Sequence, residues 1–376
     1  MKLRVTYNFF GTSIWCAGII LMLSLLNETT FAQTGFPKDL YLKAAYRPGF
    51  VLPEYTLFNY LVDDYVHSFE LSISKQTTGG DWAQVYHYPE YGLAFQYSTL
   101  GNEQVFGHEF SLYPYFTIHI IDAGKFSFQN QIGLGLGVVN KKFDQDNNPY
   151  NVAVGTNVNL HFNFELNAQY QVQRKLFFYT GLCMDHLSNG NLGEPNLGIN
   201  FLTFNAGVRY LPGEKSERTR VELTKHIPTT QAAIILAAGS KHARSLQSRS
   251  YFISSLSFEV KRKLSRIFYP GIGADIFYDA ATQAEVFNFG DSEYKSIDAF
   301  KTGVHIEEEL VFNKFSIALQ EGFYLGLTEK AFNNKTYNRF IIRHRVGEKL
   351  FVQLAMKSHV AVLDFLEFGI GYTGRS

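Results

Sequence analysis

The 376-residue sequence predicts an all-β protein, a transmembrane antiparallel β-barrel of the bacterial outer membrane. Three observations predict it. Apolar and polar residues alternate over runs too long for a soluble sandwich. Past the N-terminal leader, no apolar stretch approaches the roughly 18 residues a spanning helix needs. The aromatic load is heavy, with 35 Phe and 23 Tyr, while Pro numbers only 10.

The leader comes first. Lys2 and Arg4 give a basic start, Ile14 to Leu26 an apolar run, and Thr30-Phe31-Ala32 a small-residue cleavage site. That order predicts a signal peptide over residues 1–32, leaving a mature chain that begins near Gln33. Cys16 lies within the apolar run and reads as an ordinary leader residue. Residues 33–376 are read as a single β-barrel domain.

The clearest strand runs from Asn157 to Val172. Its odd positions are Asn157, Asn159, His161, Asn163, Glu165, Asn167, Gln169 and Gln171; its even positions are Val158, Leu160, Phe162, Phe164, Leu166, Ala168, Tyr170 and Val172. At about 3.3 Å per residue such a strand is roughly 50 Å long, well beyond usual sandwich strands. Lipid outside and a polar interior account for it. A second such run covers Lys125 to Val139. Alternation also marks 40–49, 65–75, 91–99, 105–121, 174–188 and 199–211, then 219–240, 249–263, 267–281, 297–326, 338–347 and 350–372. These runs predict about 14 spanning strands, with 12 to 16 allowed, closed so that no sheet edge meets lipid. In the last strand Leu366, Phe368, Ile370 and Tyr372 share the lipid face.

Connections set the orientation. Asp122-Ala-Gly-Lys125 and Gln173-Arg174-Lys175 read as tight periplasmic turns, whereas 140–152 and 188–198 are longer and polar, as outer loops are. Segments 76–90 and 282–296 are loops without a helical period. The stretch Thr219 to Arg244 is the least regular, and Ala232 to Ala238 is ambiguous.

Several function classes drop out. The zero net charge leaves no basic footprint for nucleic acid. After leader removal Cys183 stands alone, which rules out a disulfide framework. No metal or cofactor is expected: His67, His87, His108, His119, His161 and His305 are scattered along the chain. The acidic run at Asp144 lacks EF-hand spacing.

One constellation points to chemistry. On the strand 174–188, Leu176, Phe178, Thr180, Leu182, Met184, His186 and Ser188 share a face. The polar pair therefore caps a lipid-facing stripe at its outer end. Asn200 falls on the lipid face of the returning strand 199–211. A hydroxyl and an imidazole two residues apart on a strand are the minimum for a base-activated serine nucleophile. A third group must orient the imidazole, and Asn200 and Glu194 are the two candidates.

The string His186-Leu-Ser188-Asn-Gly-Asn-Leu-Gly-Glu-Pro-Asn196-Leu-Gly198-Ile-Asn200 resembles the signature of the lipid A 3-O-deacylases, the PagL family of outer-membrane barrels. The resemblance implies the hairpin 174–211 as the site, Ser188 as nucleophile and His186 as general base. It also implies an oxyanion site from Gly190, Asn191 and Asn196, with lipid A (lipopolysaccharide) in the outer membrane as the partner. Two departures stand out. Asn200 occupies the position of the family's glutamate, and the chain is roughly twice the length of an eight-stranded member, with the added strands C-terminal. A wider barrel enclosing a lumen leaves a transport role open, as does an inactive structural descendant. Whether the barrel forms a homodimer is left open too.

Overall fold

A computed structural model describes residues 36–53, 55–218, 220–243, 249–288, 293–330, 333–359 and 362–374. The expected signal peptide, with Cys16 in it, lies outside these described residues. Among the described residues the alternation becomes sixteen antiparallel strands. They are β1 (Leu40–Leu52), β2 (Val66–Gln76), β3 (Glu90–Thr99), β4 (His108–Ala123), β5 (Phe126–Val139), β6 (Val158–Gln173), β7 (Leu176–Ser188) and β8 (Ile199–Tyr210). After a linker follow β9 (Thr229–His242), β10 (Ser250–Lys263), β11 (Phe268–Asp279), β12 (Phe300–Phe312), β13 (Phe315–Tyr324), β14 (Thr336–Arg345), β15 (Leu350–His359) and β16 (Val362–Thr373).

The sheet closes twice. β8 turns back onto β1, pairing Tyr210 with Leu42 and Asn200 with Leu52. β16 closes on β9, pairing Leu366 with Ser240 and Thr373 with Ala233. The single barrel expected over 33–376 is therefore corrected to two eight-stranded barrels, β1–β8 and β9–β16. Alternation reports which residues face lipid; it does not report which strand a free edge pairs with, so both arrangements share one sequence pattern.

The wider lumen is corrected with it. An eight-stranded barrel has an interior just wide enough for side chains, and both interiors are filled with paired charge. In the first, Arg47 is clamped between Glu70 and Glu165, Arg209 meets Glu90 at 2.6 Å, and His161 bridges Glu109 (2.7 Å) and Asp185 (3.1 Å). The polar face of β6 that could have lined a pore is buried from Asn159 to Gln169. In the second barrel, Arg343 holds Glu259 (2.7 Å) and Glu307 (2.8 Å). Lys241 gathers Asp279 (2.8 Å), Glu285 (3.1 Å) and Asp364 (2.9 Å). Charges this deep persist only because each finds an opposite partner. Outside, Leu71, Phe95, Leu112 and Phe204 on one barrel and Leu236, Ile272, Ile306 and Leu319 on the other are exposed, as a lipid face requires.

The strand count rose from 14 because two long runs each contain a turn. The run 297–326 folds at Asn313, which adopts a left-handed φ of 59° between β12 and β13. The run 350–372 folds between β15 and β16, and its even positions from Leu350 to Met356 and from Leu366 to Tyr372 keep the same facing on both sides of the turn. The ambiguous 232–238 stretch lies within β9. Both segments read as loops carry one short helix, Asp81–Val85 and Thr282–Asn288, each too short to show a period.

The barrels touch at both ends. At the end where β1 begins and β16 ends, Phe312 stacks on Tyr86 (4.5 Å between centroids) and packs edge-on against Phe116 (4.8 Å). Arg266 reaches Asp81 at 2.9 Å. At the opposite end, the β7–β8 loop meets the rim of β9 and β16.

Candidate active site

β7 is flanked by β6 and β8, and the register sets the neighbours of each outward residue. His186 stands between Phe162 of β6 and Asn200 of β8, Ser188 beside Leu160, and Met184 between Phe164 and Leu202. Side chains two apart on a strand share a face about 6.6 Å apart along the backbone. The imidazole spans that gap. His186 Nε2 lies 3.0 Å from Ser188 Oγ, and on its other side Nδ1 lies 2.6 Å from Asn200 Oδ1. An amide oxygen only accepts, so Nδ1 carries the proton and donates it to Asn200. That tautomer leaves the Nε2 lone pair free to accept from the serine hydroxyl. Ser188 and Asn200 are buried and His186 is half-buried.

Of the two orienting candidates, Asn200 lies at the imidazole Nδ1. Glu194 sits in the loop, with its carbonyl packed against Gly155. The loop is stitched by its asparagines. Asn196 Oδ1 accepts the Asn189 N–H at 2.8 Å, which leaves the Asn196 amide nitrogen as its donor. Asn189 Oδ1 accepts from Leu192 N–H at 3.1 Å, and Asn189 Nδ2 donates to Gly193 O at 2.7 Å. Leu197 and Gly198 donate to the backbone of Val152 and Ala153 in the neighbouring loop. Gly198 has φ +76°, and a Cβ there would meet His186 Cε1 at 3.0 Å. This glycine lets the loop pass the imidazole edge.

Gly190 and Asn191 follow the serine with consecutive left-handed φ values of 70° and 62°. Among the described residues no carbonyl accepts from either N–H. Two neighbouring amides left without a backbone partner are what an anion or oxyanion site consists of. Sequence reasoning singled out Gly190, Asn191 and Asn196 but missed Asn189, which organises the turn. Its place directly after the serine was the available signal.

A metal would find its best donor set in the second barrel, where ligand atoms of Glu259, His305 and Glu307 lie within 4.8 Å of one another. Both carboxylates already carry Lys261 and Arg343, and His305 Nδ1 is held by Asp275 at 2.6 Å. Cations of the protein thus occupy the place a metal would take.

The fold defines the class, closed antiparallel β-barrels with an apolar exterior and a polar interior. Residues 67–209 match the model of the family described as Lipid A 3-O-deacylase (PagL), and residues 230–376 match Acyloxyacyl hydrolase, C-terminal domain. Together the matches take in most of the chain, which belongs to the PagL lipid A 3-O-deacylase family. Their junction falls in the linker between β8 and β9, so the first match takes in β2–β8 of one barrel and the second β9–β16 of the other. No curated protein matches the chain. Among solved structures, CdiB from Acinetobacter baumannii aligns at 9% identity and TM-score 0.20, covering 90% of this chain. This chain spans 60% of CdiB's length. A triple-mutant porin of Rhodopseudomonas blastica aligns at 9% identity and TM-score 0.17, over 89% of this chain and 99% of the porin. With scores this low, the architecture rests on the strand pairing alone.

Proposed function

We propose that this chain hydrolyses an ester-linked acyl chain of lipid A within the outer membrane, through a Ser188 acyl-enzyme. The observation that carries the reading is the relay Asn200–His186–Ser188, with contacts of 2.6 and 3.0 Å on the lipid-facing side of β7 and β8. A soluble esterase would enclose such a group in a cleft. Here the half-buried imidazole lies beside Phe162, Met184 and Leu202 on the outside of the barrel, next to where an acyl chain lies in the leaflet.

In this reading Ser188 Oγ attacks the ester carbonyl carbon and its proton passes to His186 Nε2. The N–H groups of Gly190 and Asn191, with the Asn196 amide, stabilise the oxyanion. The carbonyl carbon then releases the sugar oxygen, which takes the proton from His186. The acyl group stays on Ser188. A water molecule, deprotonated by His186, attacks the acyl carbon; the Ser188 oxygen leaves and recovers its proton, and the free fatty acid departs. Asn200 fixes the tautomer throughout but brings no charge to the imidazolium.

The test is purified protein incubated with lipopolysaccharide, wild type beside Ser188→Ala, with lipid A read by mass spectrometry. Loss of one acyl mass with wild type alone is the expected result; unchanged lipid A with both defeats the reading.

A further inference from the structure

The second barrel meets the first at the turn that follows Ser188. Asn191 Nδ2 donates to Asp364 O at 2.8 Å and to His242 O at 3.3 Å, and the Asn191 carbonyl accepts from His242 N–H at 3.0 Å. Among the described residues every hydrogen bond of Asn191 goes to the second barrel. Leu366 faces outward on β16, yet it is only 7% exposed, whereas Ile370, four residues along the same face, is 58% exposed. Its side chain covers Gly190: a Cβ there would lie 2.3 Å from Leu366 Cδ1. Among the described residues the hydrogen bonds between the barrels at this end all involve Asn191, in the turn bearing the two amides.

Such a turn needs holding. A residue with a Cβ is disfavoured in the left-handed region, Asn less than most, and Asn191 is buried there with its side chain and carbonyl engaged from one side only. The first barrel supplies the serine and the imidazole; the second supplies the contacts that fix the amides beside them.

We propose that the second barrel is a built-in clamp on the hydrolase site, its rim at His242, Asp364 and Leu366 holding Gly190 and Asn191 so that their N–H groups face the substrate oxyanion. Asn191 and Leu366 are then positioning residues of the reaction. This rests on the deacylase reading above.

The experiment compares full-length wild type, Asn191→Gly, Leu366→Ala and Leu366→Met on lipopolysaccharide, following acyl release by mass spectrometry. Asn191→Gly keeps the left-handed backbone accessible and removes only the side-chain amide. Removing one oxyanion donor outright costs about 100-fold or more in kcat. Loosening the turn is expected to lower kcat about tenfold with KM within about twofold, an energetic loss near 1.4 kcal/mol. Leu366→Met should recover most of what Leu366→Ala loses. Heat-modifiable gel mobility checks that each variant is a folded barrel, and amide exchange at 189–193 should quicken in Asn191→Gly. Wild-type kcat in both Asn191→Gly and Leu366→Ala overturns the clamp, as does a loss confined to KM. A wild type that releases no acyl chain overturns the deacylase reading instead. In that event unchanged exchange at 189–193 still rejects the clamp, and faster exchange upholds it as a structural device.

Discussion

His186 Nδ1 lies 2.6 Å from Asn200 Oδ1, so the imidazole of this site leans on a neutral amide. The amide fixes the ring and its tautomer without stabilising the positive charge that develops when Nε2 takes the serine proton. Asn200→Asp supplies that charge. It is expected to raise kcat by about tenfold or more, since a carboxylate partner of a catalytic imidazole is worth orders of magnitude. Wild-type kcat in Asn200→Asp would show that Asn200 does not partner the catalytic base. Asn200→Leu should lower kcat more than Glu194→Gln does; the reverse order would give the orienting role to Glu194.

Arg47 is fully buried between Glu70 and Glu165. Arg47→Met leaves two carboxylates facing each other in the barrel interior. Breaking a buried pair from one side costs about 3–5 kcal/mol. The variant should unfold at markedly lower temperature in the gel mobility assay, and Glu70→Gln in the same chain should recover part of the loss. An unchanged transition would mean that water enters the barrel and solvates the pair.

The facing of nearly every strand was legible because lipid outside and polar partners inside impose a period of two. The positions of Ser188, His186 and Asn200 followed from that parity. What stayed hidden was whatever parity leaves unchanged. The edge of β8 finds β1 rather than β9 through backbone pairing that carries no side-chain signature. A register irregularity beside the β15–β16 turn leaves even residues outward both up to Met356 and again from Leu366, so the two strands read as one run. The bonds from Asn191 to His242 and Asp364 join positions far apart in sequence, and only the docking of the two barrels brings them together.

Filled interiors carry a prediction for transport. His161 spans Glu109 and Asp185 across the first barrel, and Lys241 and Arg343 gather carboxylates in the second. Purified protein in planar bilayers should show no steady ion conductance. Stable open-channel steps would restore the pore reading of the polar β6 face.

Gly198 offers the sharpest steric test. Its φ of +76° is one that residues with a Cβ seldom adopt, and a methyl group placed there would approach His186 Cε1 to 3.0 Å. Gly198→Ala therefore both strains the loop and pushes on the imidazole that must face Ser188 and Asn200 together. The backbone penalty alone is about 1–2 kcal/mol. Because the strain bears on the position of a catalytic group, it should appear in kcat, by about tenfold or more, while the barrel loses only a few degrees of thermal stability. A displaced ring also holds Asn200 less firmly, so ring NMR signals of His186 should shift in the variant. An alanine variant with full kcat would mean that the loop yields and the ring does not, and that Gly198 sets the path of the chain without setting the site.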